Sequence, residues 1–75
     1  MNVLFHENAE AYEKEYQQVR GAFIAAGSTL QAWLDANGIN RQIAYRALKG
    51  RSFGRKSIEV RSKALKEAAR LAGRA

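Results

Sequence analysis

Five hydrogen-bonding side chains near the middle of the chain have the types needed to read the edges of nucleic-acid bases. They are Asn40, Arg41, Gln42, Tyr45 and Arg46. Arginine can donate two parallel hydrogen bonds to O6 and N7 of guanine, and glutamine can pair with N6 and N7 of adenine. Gln42 and Arg46 are one helical turn apart, so a helix would direct them at neighbouring base pairs. The pattern predicts a base-reading surface on which Arg41 contacts base or phosphate, and Tyr45 a thymine methyl or phosphate.

The residues around this set predict two short helices joined by a tight turn. A helix over about 29–36, capped by Ser28 or Thr29, would bury Leu30, Trp33 and Leu34. Gly38 would supply the positive φ of a turn at 37–39. The base-reading side chains would then lie on a recognition helix over about 40–49, capped by Asn40. Its inward face would carry four apolar residues, Ile43, Ala44, Ala47 and Leu48.

Two longer helices are expected to hold this pair in place. Asn8 would cap a first helix to about Ala26, ended by Gly27. Its apolar stripe recurs at helical spacing, at Tyr12, Tyr16, Val19 and Phe23, widened by Ala9, Ala22 and Ala26. Its glutamates would occupy the exposed side, at positions 7, 10, 13 and 15. The first helix would therefore face away from a polyanion.

A fourth helix is expected from a cap at Ser57 to about Ala72, after a glycine-punctuated loop over 50–55 in which Phe53 turns inward. Arg61 interrupts the apolar seam of this helix, so that face should be only half buried. No proline is present, and good helix formers abound. We therefore predict a compact all-α domain of four or five helices over residues 1–75, with flexible ends at 1–7 and 73–75.

The charge of the chain is unevenly distributed. Residues 1–39 hold two basic and five acidic residues, a net charge of −3, whereas residues 40–75 hold eleven basic and two acidic ones, a net charge of +9. The positive field begins where the recognition helix begins, which indicates a polyanion as partner. The alternative is a basic surface that serves solubility.

Residues on both sides of the recognition helix are candidates for contacts with phosphate. Backbone amides at the start of the second helix could bind one phosphate, together with the side chains of Ser28, Thr29 and Gln31. The basic loop on the other flank could grip the backbone through Lys49, Arg51, Ser52, Arg55, Lys56 and Ser57. Such contacts would set register and affinity rather than specificity.

Other classes of function find little support in the residues. The single histidine, His6, has no nearby nucleophile candidate, and no spacing suggests a metal site or cofactor. The segment GRSFGRKS at 50–57 departs from a phosphate-binding loop, because its spacer is one residue short and Arg55 precedes Lys56. No apolar run is long enough to span a membrane. We expect a cytoplasmic, nucleoid-associated protein that is not an enzyme and binds no small-molecule ligand.

The stretch 29–48 resembles the helix-turn-helix of Ner-like phage regulators, a branch of the lambda-repressor-like DNA-binding domains. The similarity lies in the Thr29-Leu30 opening, Trp33, the Gly38-Ile39 turn, Asn40 and the Ala47-Leu48 close. It covers about thirty residues, and departs from the family pattern at the bulky Leu34 and the polar Asn37, which could cap its helix instead. The resemblance implies a compact domain of four or five helices that binds operator DNA and represses or modulates transcription.

The leading hypothesis is a sequence-specific transcriptional regulator, of phage or prophage type and autoregulatory, that binds a palindromic operator in double-stranded DNA as a homodimer. Candidate dimer surfaces are the fourth helix and the segment Val3 to Phe5. Two alternatives stay open. One is a protein-interaction module that presents its basic face to an acidic protein, and the other is an architectural DNA binder without sequence preference.

Overall fold

Four α-helices make up the part of the chain that the computed structural model describes, residues 5–73. They are α1 (Ala9–Ala25), α2 (Leu30–Ala36), α3 (Arg41–Leu48) and α4 (Arg55–Ala72). Neither a strand nor a fifth helix occurs between residues 5 and 73. The all-helical prediction is thus confirmed with four helices, and α2 has the predicted start and end at Leu30 and Ala36.

Side-chain caps start the first three helices where the sequence predicts them. The side chains of Asn8, Thr29 and Asn40 each accept a hydrogen bond from a backbone N–H in the first turn of the following helix, at 2.8, 3.1 and 3.2 Å. Each cap pairs an amide that would otherwise lack a partner within its helix.

The ends of these helices share one turn geometry. After α2, Ile39 N–H donates to the Leu34 carbonyl at 2.9 Å and Gly38 N–H to the Asp35 carbonyl at 3.2 Å. This is the Schellman arrangement, and it requires the positive φ of Gly38, 65°. The Asn37 side chain also donates to the Trp33 carbonyl at 2.8 Å, so the polar residue before the glycine does cap the helix. The sharp turn sets α3 directly after α2.

The core fills the space between α4 and the other helices. Its largest fully buried side chains are Phe23, Leu34 and Leu48. Ala44 on α3 and Ala64 on α4 are fully buried too, and their small size lets the helices approach closely. The radius of gyration of 11.5 Å is close to the roughly 11 Å expected for a folded domain of this length.

Several predictions about burial are wrong. Ala9 and Ala26 are exposed rather than part of the apolar stripe, and Phe53 is 52% exposed instead of turned inward. Arg61 is 2% exposed, so it does not open the α4 face to solvent itself, although Ile58 and Leu65 on that face are half-buried as predicted. Glu15, expected among the exposed glutamates, is half-buried because its Oε1 accepts a hydrogen bond from Arg61 Nη2 at 2.5 Å.

The start of α4 also differs from its prediction. The helix begins one turn early, after Gly54, and no side chain caps it. Ser57, the predicted cap, is buried, and its hydroxyl lies 2.7 Å from the Ser52 hydroxyl. This hydrogen bond ties the loop to the first turn of α4 and takes Ser57 out of the capping position.

The ends of the chain extend past the described residues. Of the predicted flexible segments, 1–4 and 74–75 lie outside them, as do Val3 and Leu4 of one candidate dimer surface. Phe5 packs its ring on Phe53, and His6 Nε2 lies 2.8 Å from Glu15 Oε2. Among the helices of residues 5–73, none combines the length and apolarity needed to cross a membrane.

Candidate nucleic-acid interface

The two faces of α3 differ sharply in burial. Ala44, Ala47 and Leu48 are buried in the core, whereas Arg41, Gln42 and Arg46 are exposed on the other side. Because the inward face is packed and the helix is capped at its start, the outward side chains project from a fixed backbone. The sequence-predicted set is thereby brought onto one helix.

The five predicted base-reading side chains are not equally available. Gln42 and Arg46 are exposed and make no side-chain hydrogen bond or ion pair with any residue between 5 and 73. Asn40 is exposed, but its side-chain oxygen accepts from Ile43 N–H, which leaves its amide nitrogen as the group free to reach outward. Gln42 and Arg46 therefore have the fewest interactions to give up on meeting a ligand.

Arg41 is held by a carboxylate across the turn. Its guanidinium donates through Nε to Asp35 Oδ1 at 3.0 Å and through Nη2 to Asp35 Oδ2 at 2.5 Å. These hydrogen bonds lower the pKa of Asp35 below its usual value and raise that of Arg41. Both groups are charged at neutral pH, so the positive charge of Arg41 is already balanced by Asp35.

Tyr45 lies in a cleft rather than fully outward. It is half-buried, and its ring meets the Tyr16 ring edge-on with the centroids 6.1 Å apart. Lys49 Nζ lies 5.2 Å from the centroid of the same Tyr16 ring. Burial, and next the nearby Tyr45, raise the pKa of Tyr16, so its phenol stays protonated at neutral pH. This cluster anchors the C-terminal half of α3 to α1.

Arg20 is a basic residue of this region that the sequence reasoning missed. It lines a cleft of about 130 Å³ together with Thr29, Gln31 and Tyr45, all predicted contact residues. The signal in the sequence was its position, four residues after Tyr16 on an otherwise acidic helix. One side of α1 lies beside the predicted contact residues, because Tyr16 and Arg20 line the same cleft.

The residues predicted to contact phosphate fall into two groups on either side of α3. Ser28, Thr29 and Gln31 are exposed around the start of α2, where Thr29 already accepts the capping hydrogen bond. On the other side, Arg51, Arg55 and Lys56 are exposed. Ser52 is half-buried and Ser57 buried in their mutual hydrogen bond. The geometry favours the three basic residues over the two serines as contacts.

Most cations of the basic half that lack a carboxylate partner lie in one region. Four cations from the basic half have carboxylate partners, namely Arg41, Arg61, Lys63 and Arg70. Six others have none among residues 5–73. One of them is Lys66 on α4, and five lie within residues 46–56, namely Arg46, Lys49, Arg51, Arg55 and Lys56. The strongest positive potential therefore comes from the end of α3, the following loop and the start of α4.

No protein-family model, curated protein or solved structure matched this chain. The geometry and charge of the region itself are therefore the basis for inferring a function.

The loop between α3 and α4 is braced against α1. Gly50 has φ 73°, and a Cβ built there would lie 2.5 Å from Cγ of Tyr12. The Tyr12 ring also meets the Phe53 ring, with the centroids 6.0 Å apart. This contact requires glycine at position 50 for both backbone and space. The basic loop thus has a defined position relative to α3, which suits it to follow a rigid polyanion.

Metal ligands and the single histidine are the other side chains to consider. Within residues 5–73, no group of three or more His, Cys, Asp or Glu side chains could hold a metal ion. His6 is the one histidine, and its ring is engaged by Glu15 and packs edge-on against Tyr12, with centroids 4.9 Å apart. Its surroundings are those of a residue that fixes the entry to α1.

Proposed function

We propose that the protein is a sequence-specific DNA-binding transcriptional regulator that inserts α3 into the major groove of an operator. In this proposal α2, the turn and α3 act as a helix-turn-helix of the Ner-like, lambda-repressor-like kind that the sequence resembles. Repression, autoregulation, phage origin and a place in the cytoplasm at the nucleoid belong to the same proposal. Their basis is the resemblance and the charge of the chain.

The observation that carries the proposal is the two-sided character of α3. One face is fully packed, and the opposite face presents Gln42 and Arg46 without partners among residues 5–73. Side chains that read bases must project from a rigid element and keep their donors and acceptors free. A basic face that served solubility alone would not need amide and guanidinium groups one turn apart on an anchored helix.

Phosphate contacts are assigned to the flanks of α3. Arg51, Arg55 and Lys56 would meet one strand, where the uncapped start of α4 adds backbone amides to the basic side chains. Arg20 and the start of α2 would meet the backbone on the other side of the groove, beside Gln31. These contacts would be nearly independent of sequence.

A homodimer on a palindromic site completes the proposal, since a single short reading helix contacts few base pairs. Of the candidate dimer surfaces, α4 offers Leu65 and Leu71, which are half-buried, and Ala72, which is exposed. The N-terminal candidate offers Phe5, which is 55% exposed. Sedimentation of the protein alone and with its DNA would test this part separately.

The decisive experiment measures binding to duplexes enriched by the protein from a randomised library and to random duplexes, over a range of salt concentrations. Gln42→Ala is expected to cost about 1–3 kcal/mol on the enriched site only. Lys56→Ala is expected to weaken all duplexes alike and to reduce the slope of log K against log salt by about 0.9. Lys66→Ala, an exposed cation on α4 outside the predicted set, serves as the matched control.

The open alternatives predict different results. Equal affinity for enriched and random DNA would identify an architectural binder and refute specific regulation. Binding that does not weaken with salt would refute DNA as the partner, because phosphate contacts must release counterions. An acidic protein partner would instead be lost on Arg46→Ala while any DNA affinity stayed unchanged.

A further inference from the structure

The ion pair between Asp35 and Arg41 joins the two helices on either side of the turn. Asp35 lies in the last turn of α2, and Arg41 is the first residue of α3. Their side chains are 55% and 49% exposed, so the pair lies on the surface beside the reading face. An exposed pair of this kind contributes little to stability. Its main effect is therefore on the direction in which the guanidinium of Arg41 points.

The two hydrogen bonds occupy one edge of the guanidinium. Asp35 takes the hydrogen of Nε and one hydrogen of Nη2. A guanidinium has five N–H donors, so three are left, both on Nη1 and the second on Nη2. One hydrogen from each of these nitrogens forms the end-on pair, which matches the two acceptors of guanine, O6 and N7.

We propose that Asp35 is a specificity-determining positioning residue that directs the end-on donor pair of Arg41 at a guanine in the major groove. The inference rests on the proposed function and names one element of its target, a G·C pair at the position that the start of α3 reaches. Arg46 provides the contrast on the same helix, because it is exposed without a carboxylate partner among residues 5–73.

The negative charge of Asp35 separates a role in specificity from a role in affinity for DNA. A carboxylate beside DNA repels every phosphate, whatever the base sequence, so Asp35 lowers binding to all duplexes. Asp35 also restricts the conformations of Arg41. Arginine has one of the largest rotamer entropies of any side chain, and a guanidinium that is already ordered loses less of this entropy on binding. Asp35 should therefore weaken non-specific binding while it sharpens the choice of one base pair.

The experiment compares wild-type protein with Asp35→Asn, Arg41→Lys and the double variant. The duplexes are the one enriched by wild-type protein from a randomised library, a set with each base pair of it substituted, and random DNA. Glu67→Gln is the matched control, since Arg70 donates to Glu67 through Nε at 2.7 Å and Nη2 at 2.6 Å in the same edge-on manner. Binding is read by fluorescence anisotropy and folding by the thermal midpoint.

Asp35→Asn is expected to lower discrimination at one G·C pair by about three- to ten-fold. This factor corresponds to the part of the rotamer entropy of Arg41 that the carboxylate removes before DNA binds. Its affinity for random DNA should stay equal or rise. Arg41→Lys should lose discrimination at the same pair, and the double variant should lose little more than either single one, because the two residues act as a unit. Glu67→Gln should leave discrimination unchanged.

Three results would overturn the inference. If Asp35→Asn bound all duplexes more tightly by one common factor, Asp35 would act only by repelling phosphate and would have no effect on specificity. A lowered thermal midpoint with intact discrimination would make the pair structural. A wild-type protein that enriches no sequence would overturn the proposed function and this inference together, whereas a wild-type preference that survives Asp35→Asn overturns the inference alone.

Discussion

Replacing Glu15 by glutamine is expected to destabilise the protein by about 3 kcal/mol, the low end of the cost of removing one partner from a buried ion pair. Arg61 has only 3% of its side chain exposed, and its Nε and Nη1 already lack hydrogen-bond partners among residues 5–73. Glu15 provides the carboxylate that faces this charge, through Oε1 to Arg61 Nη2. Glutamine keeps an acceptor of the same shape but removes the compensating charge.

The size of the effect is large against the stability of so small a domain. A chain of 75 residues has a free energy of unfolding on the order of 4–11 kcal/mol. A loss of about 3 kcal/mol should lower the thermal midpoint by about 12–24 °C. Urea and thermal unfolding followed by circular dichroism at neutral pH would measure both quantities.

Removing the arginine should have a different outcome from removing the glutamate. Arg61→Met leaves no buried cation, and Glu15, which is 18% exposed in its side chain, can take up water. The two aromatic rings near the guanidinium, of Phe5 and Tyr12, would then pack on an apolar side chain. We expect Arg61→Met to stay within about 1 kcal/mol of the wild-type stability or to exceed it, as buried pairs replaced by apolar residues often do.

A matched control is available on the same helix. Glu13 is exposed and accepts a hydrogen bond from Gln17 four residues on, so Glu13→Gln should change the stability by less than about 0.5 kcal/mol. Equal small effects of Glu13→Gln and Glu15→Gln, or a larger loss for Arg61→Met than for Glu15→Gln, would refute the reasoning that an uncompensated buried charge dominates.

Three further predictions concern the region around α3. Gly50→Ala should cost more than about 2 kcal/mol, because its Cβ would meet a tyrosine ring at positive φ, whereas Gly54→Ala, at φ −65° in open space, should be nearly neutral in thermal unfolding. Asn40→Ala should cost about 1 kcal/mol through loss of a helix cap, measured in urea. The Asp35 carboxyl should titrate below its ordinary value of 3.8 in the folded protein and return to it in Arg41→Ala, as followed by NMR. Since its folded pKa is lowered, its small contribution to stability exists above pH 3.8 and disappears as the pH falls through the folded pKa.

Local signals account for the part of the fold that the sequence predicts well. Asn8, Thr29 and Asn40 cap their helices and Gly38 closes the turn after α2, because these effects depend on residues only three or four positions apart. Such short-range hydrogen bonds hold in many tertiary contexts. The starts of the first three helices and the turn after α2 follow from them.

Contacts that reach beyond one helical turn account for the predictions that are wrong. Arg61 and Glu15 are 46 positions apart, so neither residue's neighbours reveal that the two would pair and become buried. Ser57 is a plausible cap by type, but its hydroxyl is taken by Ser52 and the helix starts a turn earlier. Arg20 joins the cleft only because α1 crosses beside α2 and α3.

Affinity and specificity should be separable in this protein, since different elements carry them in the proposed mode of binding. Five of the cations without carboxylate partners between residues 5 and 73 lie at 46–56, and the loop within that range is braced by the contact between Gly50 and Tyr12. On α3, by contrast, Arg41 is neutralised by Asp35, and Gln42 carries no charge. Changes in the loop should therefore alter the salt dependence and leave the ranking of DNA sequences intact. Changes at Gln42 should alter that ranking and leave the salt dependence intact, because base contacts release no counterions.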